Sequence, residues 1–357
     1  MKTVIKKVDL KNIEACKDDL DEAGRIIREG GLVAFPTETV YGLGGNAFDK
    51  CASSKIYNAK GRPSDNPLIV HIADFKDIEK VAEDISTKAK KIMERFWPGP
   101  VTLIFKKKKE VPYETTGGLD TVAVRMPSHP VAMRFIKSAG VPIAAPSANT
   151  SGRPSPTTAQ HVAEDMNGKI DMIIDGGQVD IGLESTIVDM TDKVPVILRP
   201  GYITKEMLER EIGKVEVDRV VLAKSKKELG GDNYVPKAPG MKYRHYAPKA
   251  ELIMFQGNDE KVAAEINKRS YESIRQGKAV GIICTDETRS LYRYGVVISV
   301  GSREDEKTIA HNLYGVLRDF DMENVDYIYS EAFYDTGLGQ AIMNRLIKAA
   351  GYHVEKV

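Results

Sequence analysis

The chain has 357 residues, with 52 Lys and Arg against 51 Asp and Glu, a net charge of +1 and 42% hydrophobic content. That balance argues against a protein that grips nucleic acid mainly through phosphates, and the length favours two domains over one. Cys16, Cys51 and Cys284 lie far apart with no Cys-x-x-Cys pair, so neither a disulfide framework nor a zinc ribbon is expected, and a reducing, cytoplasmic setting is.

Met1-Lys2-Thr3-Val4-Ile5-Lys6-Lys7 has cations but no apolar stretch behind them, so no signal peptide is expected. The longest apolar runs are strand-sized, short of the ~20 residues of a membrane helix. Residues 1–205 alternate short apolar strands with amphipathic helices. Leu20, Ala23, Ile26 and Ile27 fall at helical spacing before Gly30-Gly31, and Leu32–Phe35 reads as a buried strand stopped by Pro36. Pro36-Thr37-Glu38-Thr39-Val40-Tyr41-Gly42-Leu43-Gly44 is either a turn with a capping threonine or a backbone that a ligand approaches closely. A helix over 53–59 leads to Lys60-Gly61-Arg62-Pro63, and a strand over 67–72 ends at His71 and Ile72.

The helix 87–96 feeds Trp97-Pro98-Gly99-Pro100 and the strand 101–105, whose continuation Lys106–Lys109 reads as a solvated strand end. A strand over 121–125, a helix over 131–139 and strands over 142–145, 172–175, 186–190 and 196–198 complete an α/β domain with a mixed sheet. Residues 206–249 read as a linker, Gly/Pro-punctuated from about Ala223. Its end, Met241-Lys242-Tyr243-Arg244-His245-Tyr246-Ala247-Pro248, is too aromatic and cationic for a passive tether. Residues 250–357 form a small Rossmann-like, doubly wound domain: strands over 252–255, 279–284, 296–300 and 327–330, with helices over 259–276, 304–320 and 338–350. Thr336-Gly337-Leu338-Gly339 is read as a plain helix start.

The polar residues of the first domain collect at strand ends. Lys60 and Arg62 flank a turn that runs straight into a buried strand, which suits phosphate oxygens, with Arg as a planar fork and Lys as a point charge. Arg125 closes a strand and suits a carboxylate, although a surface ion pair is an equal reading. Ser147, Asn149 and Ser155 surround a Gly/Pro-rich loop, where they serve either phosphates and magnesium or ordinary turn capping. Arg199 ends another strand. There is no Ser-His-Asp arrangement and no Cys/His metal cluster, so no dedicated metal site is expected, and Mg2+, if used, is held mainly by phosphates with Ser147 as a candidate protein ligand.

Pro36–Leu43, Lys60–Pro63, Asn66–His71, Trp97–Pro100, Val124–Pro127, Ala145–Asn149, Leu198–Gly201 and Tyr243–Pro248 together resemble the YrdC-like family in its two-domain form, from about residue 8 onward. The resemblance implies a YrdC-like twisted mixed sheet and a nucleotidyltransferase activity: L-threonine, bicarbonate and ATP give threonylcarbamoyl-adenylate and pyrophosphate. The product then goes to a separate tRNA threonylcarbamoyl transferase complex that modifies adenosine beside the anticodon. By the same resemblance Thr39, His71, Arg125 and the backbone at Ala145 hold threonine. Lys60, Arg62, Asn66, Thr121, Ser147, Asn149, Ser155 and Arg199 face ATP, joined by Tyr243 and His245 from the linker, with Lys60 and Arg62 as the catalytic cations. Two other readings are disfavoured. A hydrogenase-maturation carbamoyltransferase would carry a Cys-rich segment, and an RNA-binding module would carry a basic-aromatic stripe. Direct tRNA binding is accordingly expected to be weak.

Overall fold

The computed structural model describes residues 2–223, 237–239 and 245–357. Its strands in the first part are β1 (Val4–Lys7), β2 (Val33–Phe35), β3 (Gly42–Asn46), β4 (Ile69–His71), β5 (Ala82–Glu83), β6 (Val101–Lys107), β7 (Thr121–Arg125), β8 (Ile143–Ala144), β9 (Met172–Asp175), β10 (Thr186–Asp189), β11 (Val196–Arg199) and β12 (Glu216–Val217). They form one mixed sheet in the order β1-β9-β2-β3-β8-β4-β7-β6-β10-β11-β12, with β5 paired to β6.

Helices α1 (Lys17–Arg28), α2 (Lys50–Lys60), α3 (Thr87–Phe96), α4 (Tyr113–Thr116), α5 (Pro130–Ala139), α6 (Ala159–Met166), α7 (Lys205–Ile212) and α8 (Arg219–Leu222) connect them. Their ends follow local chemistry. Ser86 caps α3 by accepting from the Ala89 N–H, and α2 stops at Gly61 in the left-handed region, φ +61°. One sheet face packs Leu20, Ile27, Phe35 and Phe135 beneath α1 and α5. The other buries Leu43, Ile56, Val70, Leu103 and Val124.

The second domain is a five-stranded, all-parallel sheet of β13 (Glu251–Gln256), β14 (Val280–Cys284), β15 (Val296–Ser299), β16 (Tyr327–Glu331) and β17 (Val354–Lys356), in the order β15-β14-β16-β13-β17. Helix α9 (Asp259–Arg275) covers one face through Val262 and Ile266, while α10 (Glu306–Met322) and α11 (Leu338–Ala349) cover the other through Leu313, Leu317, Ile342 and Leu346. Helices on both faces of a parallel sheet are the doubly wound arrangement the alternating pattern predicts. Among the described residues no helix is long and apolar enough to cross a membrane.

The two domains share a core, because Val40 and Leu183 of the first pack into the cluster that α10 and α11 cover. Gly182 permits the approach: its φ is +84°, and a Cβ there would lie 2.5 Å from the Ala310 carbonyl oxygen.

The structure differs from the sequence expectation at several elements. The glycine-rich run after Thr39 becomes strand β3, because a Cβ on Gly42 or Gly44 would press on the Phe35 ring and their absence lets the strand pack flat. The edge strands β1 and β17 and helix α6 are additions. The expected linker begins as ordered structure, with β12 paired to β11 of the first sheet. Gly339 does start a helix, its N–H donating to the Glu306 carboxylate at 3.1 Å.

Candidate functional site

Strand register assembles the site. Arg199 pairs with Ile187, Ile187 with Thr102, Thr102 with Arg125, Arg125 with His71, and His71 with Ile143. Directly paired residues project to the same sheet face, so Arg199, Arg125 and His71 share one side across five strands. The turn 37–40, the end of α2 and the loop 145–155 surround this row to leave a cavity open on one side to solvent.

At one end the wall is formed by Thr37, Thr39, His71, Arg125 and Ala145. Arg125 is buried; its Nη1 donates to Thr39 Oγ1 at 2.8 Å and its Nη2 lies 2.6 Å from Glu38 Oε1. Thr37 Oγ1 orders the turn, accepting from the Thr39 and Val40 N–H groups at 3.2 Å and donating to the Val40 carbonyl at 2.6 Å. This is the turn reading of that motif, although a strand and not a helix follows it. His71 donates from Nδ1 to the Ile69 carbonyl at 3.1 Å and meets the edge of Phe35. Burial, with Arg125 beside it, pushes its imidazole down to about 3, so the ring is neutral at physiological pH. Ala145 donates its N–H to Ile69 and presents its other side to the cavity.

The other end is a cation wall. Arg62 Nε and Nη2 donate to the Asn66 and Pro67 carbonyls at 3.2 and 3.0 Å, leaving Nη1 uncommitted among the described residues. Burial lowers this guanidinium to about 10, and burial likewise lowers Arg199, whose Nε and Nη2 hold the carbonyl and hydroxyl of Ser185 at 3.1 and 3.2 Å. Lys60 is also held well below its usual range, first by burial and then by Arg62. Two buried cations, Lys60 and Arg199, flank the half-buried Arg62, with Arg62 depressing Lys60 and Arg199 depressing Arg62, an arrangement that an anion would relieve.

Lys60 differs from the simple phosphate cation expected. Its Nζ donates to the Ser147 and Asn149 carbonyls, each at 2.5 Å, so it braces the 147–149 loop. Ser147 Oγ donates to Asn149 Oδ1 at 2.5 Å, which commits its proton and leaves the oxygen as an acceptor, and Asn149 Nδ2 holds the Thr150 and Arg153 carbonyls. Ser155 lines the same wall.

Two expected nucleotide contacts fall outside the cavity walls. Thr121 opens β7, where it pairs with Lys106 of β6, at the opposite end of the strand from Arg125. Asn66 is buried under Arg62, its carbonyl rather than its side chain serving the site. His245 does line the cavity, neutral because burial lowers it to about 3; Tyr243 lies outside the described residues.

Sequence reading passed over Glu38 as a site residue and did not register Glu184 at all. Glu184 is the one carboxylate on the cavity wall among the described residues. Burial alone would raise it, but Arg345, Arg199 and a hydrogen bond from Ser155 hold it down to about 2. Its principal partner is 161 residues away, and no local pattern announces that. Glu38 was legible in the motif, but its pairing with Arg125 follows only from the fold.

Fold and site define an α/β protein with a pocket around the buried Arg125 that opens into a wall of cations. A family profile described as Telomere recombination (Sua5, YciO, YrdC) matches residues 25–201, and the profile of the threonylcarbamoyl-AMP synthase C-terminal domain matches residues 203–351. The threonylcarbamoyl-AMP synthase of Bacillus subtilis is 49% identical over 99% of this chain and 99% of its own. That of Pyrococcus abyssi is 50% identical over 94% of this chain and 95% of its own. The crystal structure of P. abyssi Sua5 complexed with L-threonine superposes with a TM-score of 0.90 at 46% identity, covering 100% of both chains. The chain belongs to the Sua5/YciO/YrdC family, in its two-domain form.

Proposed function

We propose that this protein is a threonylcarbamoyl-AMP synthase, a nucleotidyltransferase that joins L-threonine, bicarbonate or CO2, and ATP into L-threonylcarbamoyl-adenylate with release of pyrophosphate. The observation that carries this is the continuity of one cavity from the Arg125–Thr39–His71 pocket to the Arg62–Arg199 wall, in a chain 46% identical to a threonine-binding relative.

Chemistry and geometry correspond step by step. The threonine amine forms a C–N bond to CO2 and loses a proton, giving a carbamate. A carbamate oxygen then bonds to the α-phosphorus as the bond from that phosphorus to the bridging oxygen breaks, and pyrophosphate leaves with the electron pair. Neither step needs an enzyme nucleophile, so catalysis is positioning and charge stabilisation. Arg125 takes the threonine carboxylate, with Thr39 holding its guanidinium. Neutral His71 offers a hydrogen bond without a competing charge. Arg62 through Nη1 and Arg199 face the phosphates, while Lys60 fixes Ser147 and Asn149 and adds its charge to the wall. Mg2+ accompanies ATP and stays mainly on its phosphate oxygens; the acceptor oxygen of Ser147 suits it as the protein's ligand. Enclosure under His245 and Tyr246 protects a carbamate and a mixed anhydride, both prone to hydrolysis. The product is a substrate for a separate tRNA threonylcarbamoyl transferase complex. The near-neutral charge supports only weak direct tRNA contact.

The test is incubation of the purified protein with labelled bicarbonate, ATP and magnesium, with and without L-threonine. Threonine-dependent pyrophosphate and a labelled threonylcarbamoyl nucleotide are expected. Pyrophosphate release indifferent to threonine rules the substrate out.

A further inference from the structure

The second domain makes more than a scaffold contact with the first. His311, Tyr314, Arg318 and Asp321 fall at spacings of 3, 4 and 3 residues, so they form one stripe along α10. A stripe at that spacing on a helix facing a partner is normally apolar; here it is polar, and every member bonds the first domain. His311 Nδ1 meets the Asp180 carbonyl at 2.8 Å. Tyr314 donates to Glu184 at 2.9 Å, and Glu184 in turn accepts from Ser155 Oγ at 2.5 Å. Arg318 Nη2 donates to the Pro154 carbonyl at 2.7 Å and to Asp165 at 2.9 Å. Asp321 holds Arg153 at 3.0 Å.

Apart from that of His311, these contacts converge on one short stretch, residues 153–155, and on the carboxylate that fixes it. That stretch is the nucleotide side of the cavity. From α11, Arg345 adds a bond to Glu184 at 2.9 Å and lies over the Tyr246 ring, which also stacks on Tyr314 at 5.2 Å. No member of the stripe bonds the Arg125, Thr39 or His71 side chains. The side-chain hydrogen bonds of the second domain therefore go to one half of the site, and it meets the other half through the packing of Val40 and the backbone at Gly182.

We propose that α10 and α11 act as positioning elements for the nucleotide: Tyr314, Arg318 and Arg345 set Glu184 and the 153–155 loop, so the second domain determines ATP affinity and leaves threonine affinity to the first. This rests on the proposed synthase activity. Glu184, ionised and saturated by these partners, serves as their anchor and not as a base.

The test uses the full-length protein and two separate titrations, one with the α,β-methylene analogue of ATP and one with L-threonine, beside the adenylate assay. Tyr314→Phe removes one hydroxyl and preserves the ring stack. It and Arg318→Gln are expected to weaken the analogue about tenfold and change threonine affinity less than twofold, with Arg345→Lys retaining more analogue binding than Arg345→Gln. Arg303→Gln, which breaks a buried ion pair with Glu331 elsewhere in the same domain, is expected to lower the melting temperature and spare both affinities. Analogue affinity unchanged in Tyr314→Phe and Arg318→Gln, or a parallel loss for both ligands, overturns the proposal. A wild-type protein that makes no threonylcarbamoyl nucleotide overturns the synthase reading instead.

Discussion

Arg125 shows how a single buried charge sets up a ligand pocket. Its Nε and Nη2 lack a well-aligned hydrogen bond although Nη2 sits 2.6 Å from Glu38. Neither Glu38 oxygen makes one either. Such a pair depends on mutual charge rather than geometry, and removing one partner of a buried pair costs about 3–5 kcal/mol. Glu38→Gln is therefore expected to destabilise the free protein, and L-threonine, whose carboxylate replaces the lost charge, to raise its melting temperature more than that of the wild type. An equal or smaller threonine shift in thermal melts would separate Arg125 from the substrate carboxylate. His71 gives a second residue-scale expectation. Unfolded, an imidazole takes a proton below about 6.5; folded, His71 does so only near 3. Falling pH thus favours the unfolded chain between these values, by up to about 1.4 kcal/mol per pH unit for one such histidine. His71→Gln should flatten the decline in stability from pH 6.5 toward pH 4 in denaturant titrations; parallel pH profiles would contradict it.

At the scale of elements, the site depends on close backbone approaches that side chains would prevent. The loop at Gly182 meets α10 with a positive φ and no room for a Cβ. A left-handed non-glycine residue costs about 1–2 kcal/mol before any clash is counted. Gly182→Ala is expected to lower the melting temperature and to increase the rate of limited proteolysis, because the helix must move off the loop. Unaltered melting and cleavage would show that the contact is slack. The connector's return is held in a similar way. The Ala247 N–H donates to the Gly152 carbonyl at 2.8 Å and Tyr246 takes φ +64°, strain that its stack on Tyr314 helps to maintain. His245→Ala should impair adenylate formation without unfolding the first domain; undiminished turnover would make the connector a tether.

For the molecule as a whole, the cavity lies between the 12-stranded mixed sheet and the connector, and the second domain backs its wall through the bonds that Tyr314 and Arg345 make to Glu184. The core that runs from Leu183 and Val40 into α10 and α11, with the buried Glu184–Arg345 pair at its edge, couples the two domains. Calorimetry of the wild type should show one cooperative transition. Arg345→Gln, which leaves Glu184 buried without its principal counter-charge, should split or broaden it. A single sharp transition in that variant would mean that the apolar contact alone holds the domains together.

Much of this was legible in the amino-acid order. The alternation of strand and helix, the stop at Gly61, the strand ends at His71 and Arg125 and the hydroxyl loop at Ser147 all follow from local periodicity and turn chemistry, which act over a few residues. The family motifs placed the substrates on those same residues. What local pattern could not supply was pairing at a distance. Strand register put Arg199, Arg125 and His71 in one row and moved Thr121 to the other end of its strand. Burial converted Lys60 from an expected free cation into a brace, since an ammonium out of water must find oxygens, and the nearest were the carbonyls of Ser147 and Asn149. Glu184 became part of the site only because an arginine 161 positions later folds against it. Sequence determined the elements and the chemical inventory; tertiary structure decided which charges meet, because burial and register are properties of the assembled sheets.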